Sequence, residues 1–283
     1  MNPVATRAVV REGWQLALAD GKLTPGMRDA VLARALEAAR GELGAPRRRS
    51  RHASTWQLRI GAGVESEIFI KVLDAPRGFA ALKQRLRGGR ADHVARVTRN
   101  LTDAGFLAPP LLVYGREGAS GREIIVTPRA EGDGPLRTIA ALNSGAIDRK
   151  RAVLRALGAE IARLHRCGCV HGDLTPFNIF FVRTEPPRFV LIDHERTRSA
   201  GLVGGRRRAL RNLVQLGRFH MPGLSATDRM RILAGYTALL ERCDRRKLAR
   251  RVNAMLKRRI RRDGIACVQI SAKSGAVTSN VRG

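Results

Sequence analysis

Aromatic side chains are scarce in this 283-residue chain: Phe, Tyr and Trp together make up 4% of it. Acids are scarce too, with 24 Asp and Glu against 53 Lys and Arg, a net charge of +29. No apolar run approaches the length of a membrane span, which argues against an integral membrane protein. The segment Met1-Asn2-Pro3-Val4-Ala5-Thr6-Arg7 lacks the apolar core of a secretory signal, so a cytoplasmic location is expected. Cysteine is limited to Cys167, Cys169, Cys243 and Cys267. The first two are too close for an ordinary bridge or a zinc knuckle, and no second pair completes a metal site, so reduced thiols are expected. Hydrophobic content, 44%, is ordinary for a globular protein.

The excess of positive charge says little about fold and much about partners. Such a surface is drawn to polyanions: nucleic acid, anionic lipid headgroups or a phosphorylated glycolipid. An Arg-rich genome would produce the same composition without a partner.

The chemistry concentrates in Val170-His171-Gly172-Asp173-Leu174-Thr175-Pro176-Phe177-Asn178, followed by Val190-Leu191-Ile192-Asp193. Asp173, Asn178 and Asp193 form a D-x₄-N-x₁₄-D pattern. That is the spacing of a kinase-type phosphotransfer site: Asp173 orients a hydroxyl and accepts its proton, while Asn178 and Asp193 hold Mg²⁺ against nucleotide phosphates. Mg²⁺ takes oxygen ligands and keeps several waters, so one amide, one carboxylate and phosphate oxygens suffice. Ile179 to Val182 and Phe189 to Ile192 read as strands of a hairpin, with Pro186-Pro187 in its connection, that delivers the two metal ligands side by side. The bland alternative, in which Asp173 and Asn178 only cap turns, fails to account for the third member and the intervening strands.

Upstream, residues 24–43 read as an amphipathic helix and Arg47-Arg48-Arg49-Ser50-Arg51 as a basic loop. Thr55 to Ile60 and Glu67 to Leu73 are strands of a hairpin around Gly61-Ala62-Gly63. Lys71 sits in the second, either as an edge-strand Lys that discourages aggregation or facing the nucleotide to neutralise its phosphates. Arg90 to Asp103 reads as a helix, and Leu111 to Tyr114 and Glu123 to Val126 as antiparallel strands. Thr127 to Gly132 reads as a stiff connector whose backbone, around Glu131, can bond an adenine edge. Asp148 is read as the N-cap of a helix to His165, and His165 as a core histidine with its hydrogen bonds satisfied. Two more helices are expected at 206–220 and 225–241. Arg242 to Arg262 holds eleven Lys or Arg and one acid, Asp244, with Leu248, Val252, Met255, Leu256 and Ile260 on one helical face. That is a membrane-surface or polyanion-binding helix, or a helix whose apolar side packs on the protein. From Ser271 the chain reads as disordered.

The order strand-Lys, helix, hinge, helix, H-G-D-L-x₄-N and strand-Asp resembles the protein-kinase-like fold. More closely, the chain resembles the bacterial lipopolysaccharide kinases, the Kdo kinases and core heptose kinases. Phe69-Ile70-Lys71, Asp103-Ala104-Gly105-Phe106-Leu107-Ala108-Pro109-Pro110, Leu164 to Leu174 and Leu191 to Arg198 carry the likeness, which spans about residues 50 to 240. It implies an α+β bilobed fold with an antiparallel N-lobe sheet plus helix and a mostly helical C-lobe. The expected parts are an N-terminal helical extension (1–46), N-lobe (47–130), C-lobe with the basic helix (131–270) and tail (271–283). It also implies ATP and Mg²⁺ as cofactors, catalytic Asp173 and Lys71, nucleotide contacts from Lys71, Asn178, Asp193 and Glu131, and metal ligation by Asn178 and Asp193. The implied acceptor is a sugar hydroxyl of an anionic glycolipid, a lipid A-core precursor at the inner face of the cytoplasmic membrane, with nucleic acid a less favoured partner.

The chain departs from the pattern in places. No G-x-G-x-x-G precedes the first strand, leaving Arg47 to Ser54 as the phosphate-covering loop. The 90–103 helix has no Glu to pair with Lys71, so either Asp92 substitutes or phosphate alone holds the lysine. Gly172 stands where protein kinases carry an Arg, and His194-Glu195 follows the metal-binding Asp, which suggests a site assembled without phosphorylation. An aminoglycoside- or choline-kinase-like phosphotransferase would need an acidic pocket that this chain hardly offers. A RIO-like protein kinase, its basic surface touching RNA, is a further alternative. The intact Lys71, Asp173, Asn178 and Asp193 weigh against a non-catalytic pseudokinase.

Overall fold

The computed structural model describes residues 6–19, 23–61, 66–76, 78, 81, 88–144, 147–199, 205–241, 243–270 and 277–282. The chain divides into two compact units, Met1–Ala130 and Glu131–Gly283.

The first unit is built on a seven-stranded antiparallel sheet. Its strands are β1 (Thr6–Arg11), β2 (Trp14–Ala19), β3 (Arg48–Ser50), β4 (Ala53–Ile60), β5 (Ser66–Leu73), β6 (Val113–Glu117) and β7 (Glu123–Pro128). They lie in the order β1-β2-β6-β7-β5-β4-β3. Helix α1 (Pro25–Arg40) starts where Thr24 Oγ1 accepts from the Met27 N–H at 3.3 Å, with Pro25 in its first turn. Its Val31, Leu32, Ala35 and Leu36 pack with Trp14, Leu16, Leu18, Trp56, Ile68 and Ile70 in one core. A second cluster, holding Ala53, Leu73 and Ile125, gathers Ala91 and Val94 of α2 (Arg90–Asp103).

Three expectations change here. Residues 1–46 are not a helical extension alone, because the β1–β2 hairpin joins the sheet through β2 and β6. Trp14, Leu16 and Leu18 alternate toward the core, a period-2 signal within a short stretch. The basic stretch around Arg48 is an edge strand rather than a loop, its exposed arginines suiting a sheet edge. Thr127 and Pro128 belong to β7, so the connector is shorter than expected. Ala62 and Gly63 of the expected hairpin turn lie outside the described residues.

The second unit is mostly helical. It contains α3 (Pro135–Asn143), α4 (Ile147–Arg166), α5 (Gly205–Gly217), α6 (Ala226–Ala238) and α7 (Arg245–Asp263). Asp148 lies in the first turn of α4 rather than capping it, where its charge still complements the helix dipole. Helices α4 and α6 pack closely: a Cβ on Gly158 would lie 1.9 Å from the Ile232 carbonyl oxygen, and one on Gly235 1.8 Å from that of Arg155. Between them, the buried Lys150 Nζ lies 2.7 Å from Asp228 Oδ2 and donates to the Gly223 carbonyl at 2.7 Å. Asp228 also closes the capping box of α6 with Ser225.

Short strands complete the unit. β9 (Ile179–Thr184) and β10 (Pro187–Leu191) form a hairpin, and β8 (Cys169–Val170) pairs with β11 (Arg198–Ser199). β12 (Phe219–His220) runs parallel to β13 (Ile265–Ile270), which pairs with β14 (Val277–Arg282). The tail expected to be disordered thus holds a strand at 277–282; residues 271–276 lie outside the described residues.

Candidate active site

The β9–β10 hairpin positions the carboxylates and the amide. Ile179 pairs with Leu191, and the Ile192 N–H donates to the Asn178 carbonyl at 3.1 Å. Asn178 and Asp193 therefore flank the same open end of the hairpin. The nearly buried Asn178 donates from Nδ2 to the Asp173 carbonyl at 2.9 Å, which ties the loop to this end and leaves Oδ1 to accept or ligate. Asp193 adopts the left-handed conformation, φ 63°. Among non-glycine residues Asp tolerates that region comparatively well, and such conformations concentrate at functional sites.

Asp173 is held from α5. Gln215 Nε2 donates to Asp173 Oδ1, and Gln215 Oε1 accepts from the Leu174 N–H at 3.1 Å. One turn earlier, Asn212 Oδ1 accepts from the His171 N–H at 3.1 Å and lies 3.1 Å from His165 Nε2. His165 Nδ1 meets Tyr236 Oη at 2.9 Å. Both ring nitrogens of His165 are bonded, as expected of a core histidine. Sequence spacing could not single out Asn212 or Gln215, because their partners lie about forty residues away.

Behind the loop two imidazoles are buried. His171 Nε2 donates to the Ile192 carbonyl at 2.9 Å, and His194 Nε2 donates to the Leu191 carbonyl at 3.0 Å. His194 Nδ1 lies 3.2 Å from Thr197 Oγ1, which reaches the His171 carbonyl at 3.1 Å. Burial pushes His194 down to about 3, with the neighbouring His171 ring adding to it. Burial also lowers His171 and His165. Lowering favours the neutral rings; His171 and His194 tie the loop to the end of β10, while His165 ties α4 to α5 and α6.

Gly172 has a positive reason to be glycine. Its φ is 75°, and a Cβ would lie 2.1 Å from the Arg196 carbonyl oxygen. Any side chain here would force the loop away from the segment after Asp193, so close backbone approach explains the missing Arg.

In the first unit Lys71 occupies β5, which pairs with β4 on one side and β7 on the other. It is therefore not an edge-strand lysine. Register sets it opposite Thr55 and Ile125, on the sheet face that carries Leu73 and the α2 cluster. Asp92, the acid weighed as its partner, instead accepts from the Gly89 N–H at 3.3 Å as part of the α2 capping box. The sequence reading missed Glu123, a fully buried acid of β7. Its carboxylate accepts from the Arg90 N–H at 3.0 Å, the Ala91 N–H at 3.3 Å and Arg90 Nε at 3.4 Å, which fastens the start of α2 to the sheet. Glu131 is exposed, just ahead of the backbone bridge between Asp133 and Phe181.

The oxygen donors suit a hard cation: the Asp193 carboxylate and Asn178 Oδ1 are the ligand types Mg²⁺ takes alongside phosphate and water. Among the described residues no group of three or more His, Cys, Asp or Glu forms a metal cluster, so the arrangement does not resemble an all-protein metal cage. Cys167, Cys169 and Cys243 are free thiols.

Comparison with known proteins bears on this geometry. The model of the lipopolysaccharide kinase (Kdo/WaaP) family matches residues 80–236. A 3-deoxy-D-manno-octulosonic acid kinase from Xanthomonas euvesicatoria pv. vesicatoria (strain 85-10) is 31% identical over 129 residues, 38% of this chain and 50% of that protein. The EKC/KEOPS complex subunit BUD32 of Encephalitozoon cuniculi (strain GB-M1) is 33% identical over 99 residues, 35% of this chain and 44% of that protein. The chain thus spans about half the length of the curated relatives it matches. Rad53 1-466 in complex with AMP-PNP aligns at a TM-score of 0.40 and 15% identity, covering 76% of this chain and 59% of that one. The family match takes in Asp173, Asn178 and Asp193 and more than half of the sequence, and by it the chain belongs to the lipopolysaccharide kinase (Kdo/WaaP) family.

Proposed function

We propose that this protein transfers the γ-phosphoryl group of ATP to a sugar hydroxyl of a lipopolysaccharide lipid A-core precursor. The observation that carries the reading is the convergence of Asp173, Asn178 and Asp193 at one end of the β9–β10 hairpin. Asp173 aligns the acceptor hydroxyl and takes its proton as the oxygen–phosphorus bond forms and the bond to the departing ADP breaks. Asn178 Oδ1 and Asp193 hold Mg²⁺, which when bound neutralises charge on the phosphate oxygens. Lys71 contributes a further positive charge to the phosphates. Arg47 to Ser54 is the candidate to serve in place of a glycine-rich loop, and the backbone beside Glu131 the candidate for the adenine edge.

The acceptor class rests on family membership and on the charge of the chain, which suits an anionic glycolipid. No described helix is long and apolar enough to cross a membrane. Attachment to the inner face of the cytoplasmic membrane is therefore proposed through α7. Its apolar stripe is partly taken up by the protein, because α7 packs on α5 and α6 with Val252 buried and Leu256 against Gly217. Its exposed Arg and Lys rows remain, each contributing about 1 kcal/mol near an anionic surface.

The test supplies γ-labelled ATP with lipid A-core, protein and aminoglycoside acceptors and separates the products by thin-layer chromatography. Label on the lipid A-core sugar alone is expected. Label on protein or aminoglycoside, and none on the glycolipid, would replace this reading with one of the alternatives.

A further inference from the structure

The loop around Asp173 is bracketed by two amides on one helix. Asn212 and Gln215 stand three residues apart on α5, hence on one face. They reach the loop at His171 and Leu174, the residues on either side of Gly172-Asp173. Their uses differ. Asn212 bonds the His171 backbone and the His165 ring, never a reacting group. Gln215 spends its carbonyl on the Leu174 N–H and its NH₂ on the Asp173 carboxylate. Asp173 Oδ2 has no hydrogen-bond partner among the described residues, so Gln215 occupies one carboxylate oxygen and the other remains to meet a hydroxyl.

A carboxylate on a two-torsion side chain can rotate, and a base acts only within hydrogen-bond reach of the proton it takes. Misplacing a catalytic group by about 1 Å can cost on the order of 10²-fold in rate. We infer that Gln215 is a positioning residue, one that fixes the rotation of the Asp173 carboxylate so that Oδ2 faces the acceptor hydroxyl. The inference rests on the phosphotransfer reading and deepens it: half of the base's geometry is supplied by α5, some forty residues beyond the motif. Gln215 is only partly buried, so exchanges there leave the core intact.

Three substitutions separate its two bonds. Gln215→Met makes neither, Gln215→Glu keeps only the acceptor for the Leu174 N–H, and Gln215→Lys keeps only a donor for Asp173. ATP turnover, with and without glycolipid acceptor, is measured beside thermal melting and KM for ATP, with wild type and Asp173→Asn as references. Turnover without acceptor reads the same base acting on water, so a wrong acceptor assignment does not blind the experiment.

The expected result is a fall in kcat of roughly ten- to a hundredfold for Gln215→Met. KM for ATP and melting temperature should stay near wild type. Gln215→Lys should recover part of the lost kcat, and Gln215→Glu none. Recovery by Gln215→Glu and not by Gln215→Lys would show that Gln215 only anchors the loop backbone and would overturn the inference, as would wild-type kcat in all three. Unimpaired turnover in Asp173→Asn would instead overturn the phosphotransfer reading.

Discussion

Glu123 shows how much a single buried acid can organise. Its carboxylate gathers two backbone N–H groups and a guanidinium where α2 meets the sheet, and Gly89 leaves it no slack: a Cβ there would lie 1.8 Å from Glu123 Oε1. Hydrogen bonds to a charged group are worth about 1.5–3 kcal/mol, and donors left unpaired in a buried site cost more. Glu123→Ala should therefore destabilise the protein by about 3 kcal/mol in urea unfolding, while Asp92→Ala, an exposed cap, should cost about 1 kcal/mol. Equal costs would mean that the cap, not the buried acid, anchors α2. Lys71→Met is expected to weaken ATP binding about tenfold or more, the loss of one charge-assisted contact to phosphate. Isothermal titration calorimetry of the variant checks it, and unchanged affinity would remove Lys71 from the site.

These residues divide by how they could be found. The placing of Asn178 and Asp193 at one end of a hairpin was legible because the hairpin fixes their spacing, so sequence distance translates directly into geometry. Glu123 and Gln215 were not, because each acts across more than thirty residues on a partner that nothing in its own neighbourhood names. The missing helix Glu was read as a gap filled either by Asp92 or by phosphate alone, and Asp92 is taken up by its own helix end.

At the scale of elements, helix periodicity placed α1, α2, α4, α6 and α7 within a few residues. The β1–β2 hairpin went unread because six-residue strands give a weak period-2 signal beside a strong helix. The α4–α6 crossing depends on two glycines whose importance appears only once the helices meet. Gly158→Ala would press a methyl into the Ile232 carbonyl, and overpacking of this kind costs about 1–3 kcal/mol or more. A lowered melting temperature is expected, and an unchanged one would show that the helices part freely. The amphipathic pattern of α7 was visible, but not which of two surfaces its stripe would meet; the structure packs part of it, with Val252 buried, on the protein. The proposed membrane attachment then rests on charge. Arg250, Arg251, Arg258 and Arg261 make no ion pair among the described residues, whereas Arg259 and Arg262 pair with Asp263. Replacing those four with Gln should abolish binding to anionic liposomes and leave activity on a short soluble acceptor nearly intact. Salt should weaken wild-type binding in the same way. Loss of both activities together would mark α7 as purely structural.

For the whole molecule, buried titratable groups set an acid limit on stability. His165, His171 and His194 have lowered folded values, so the stability they provide is full above about pH 6.5, the unfolded value, and declines as pH falls and the unfolded chain binds protons. Asp228 acts lower down. Burial pushes it up, but hydrogen bonds from Lys150, Ser225 and Arg231 together outweigh that and hold it at about 2. Its contribution, about 2 kcal/mol, is full above about pH 4 and lost as pH falls toward 2. Urea unfolding should therefore give a stability that is level near pH 7–8, declines below about 6.5 and steepens below about 4. A level profile down to pH 4 would contradict the neutral, buried imidazoles on which the loop rests.

The most direct test of the account compares Asp173→Ala with Asp193→Ala, measuring Mg²⁺-dependent ATP affinity and phosphotransfer rate in parallel. Asp173→Ala should lower turnover by roughly 10²–10⁴-fold with ATP affinity nearly unchanged, because a positioned base acts on the acceptor hydroxyl. Asp193→Ala should abolish the Mg²⁺-dependent part of ATP binding. Equal loss of ATP affinity in the two variants, or turnover that survives Asp173→Ala, would contradict the division of labour on which the proposed function stands.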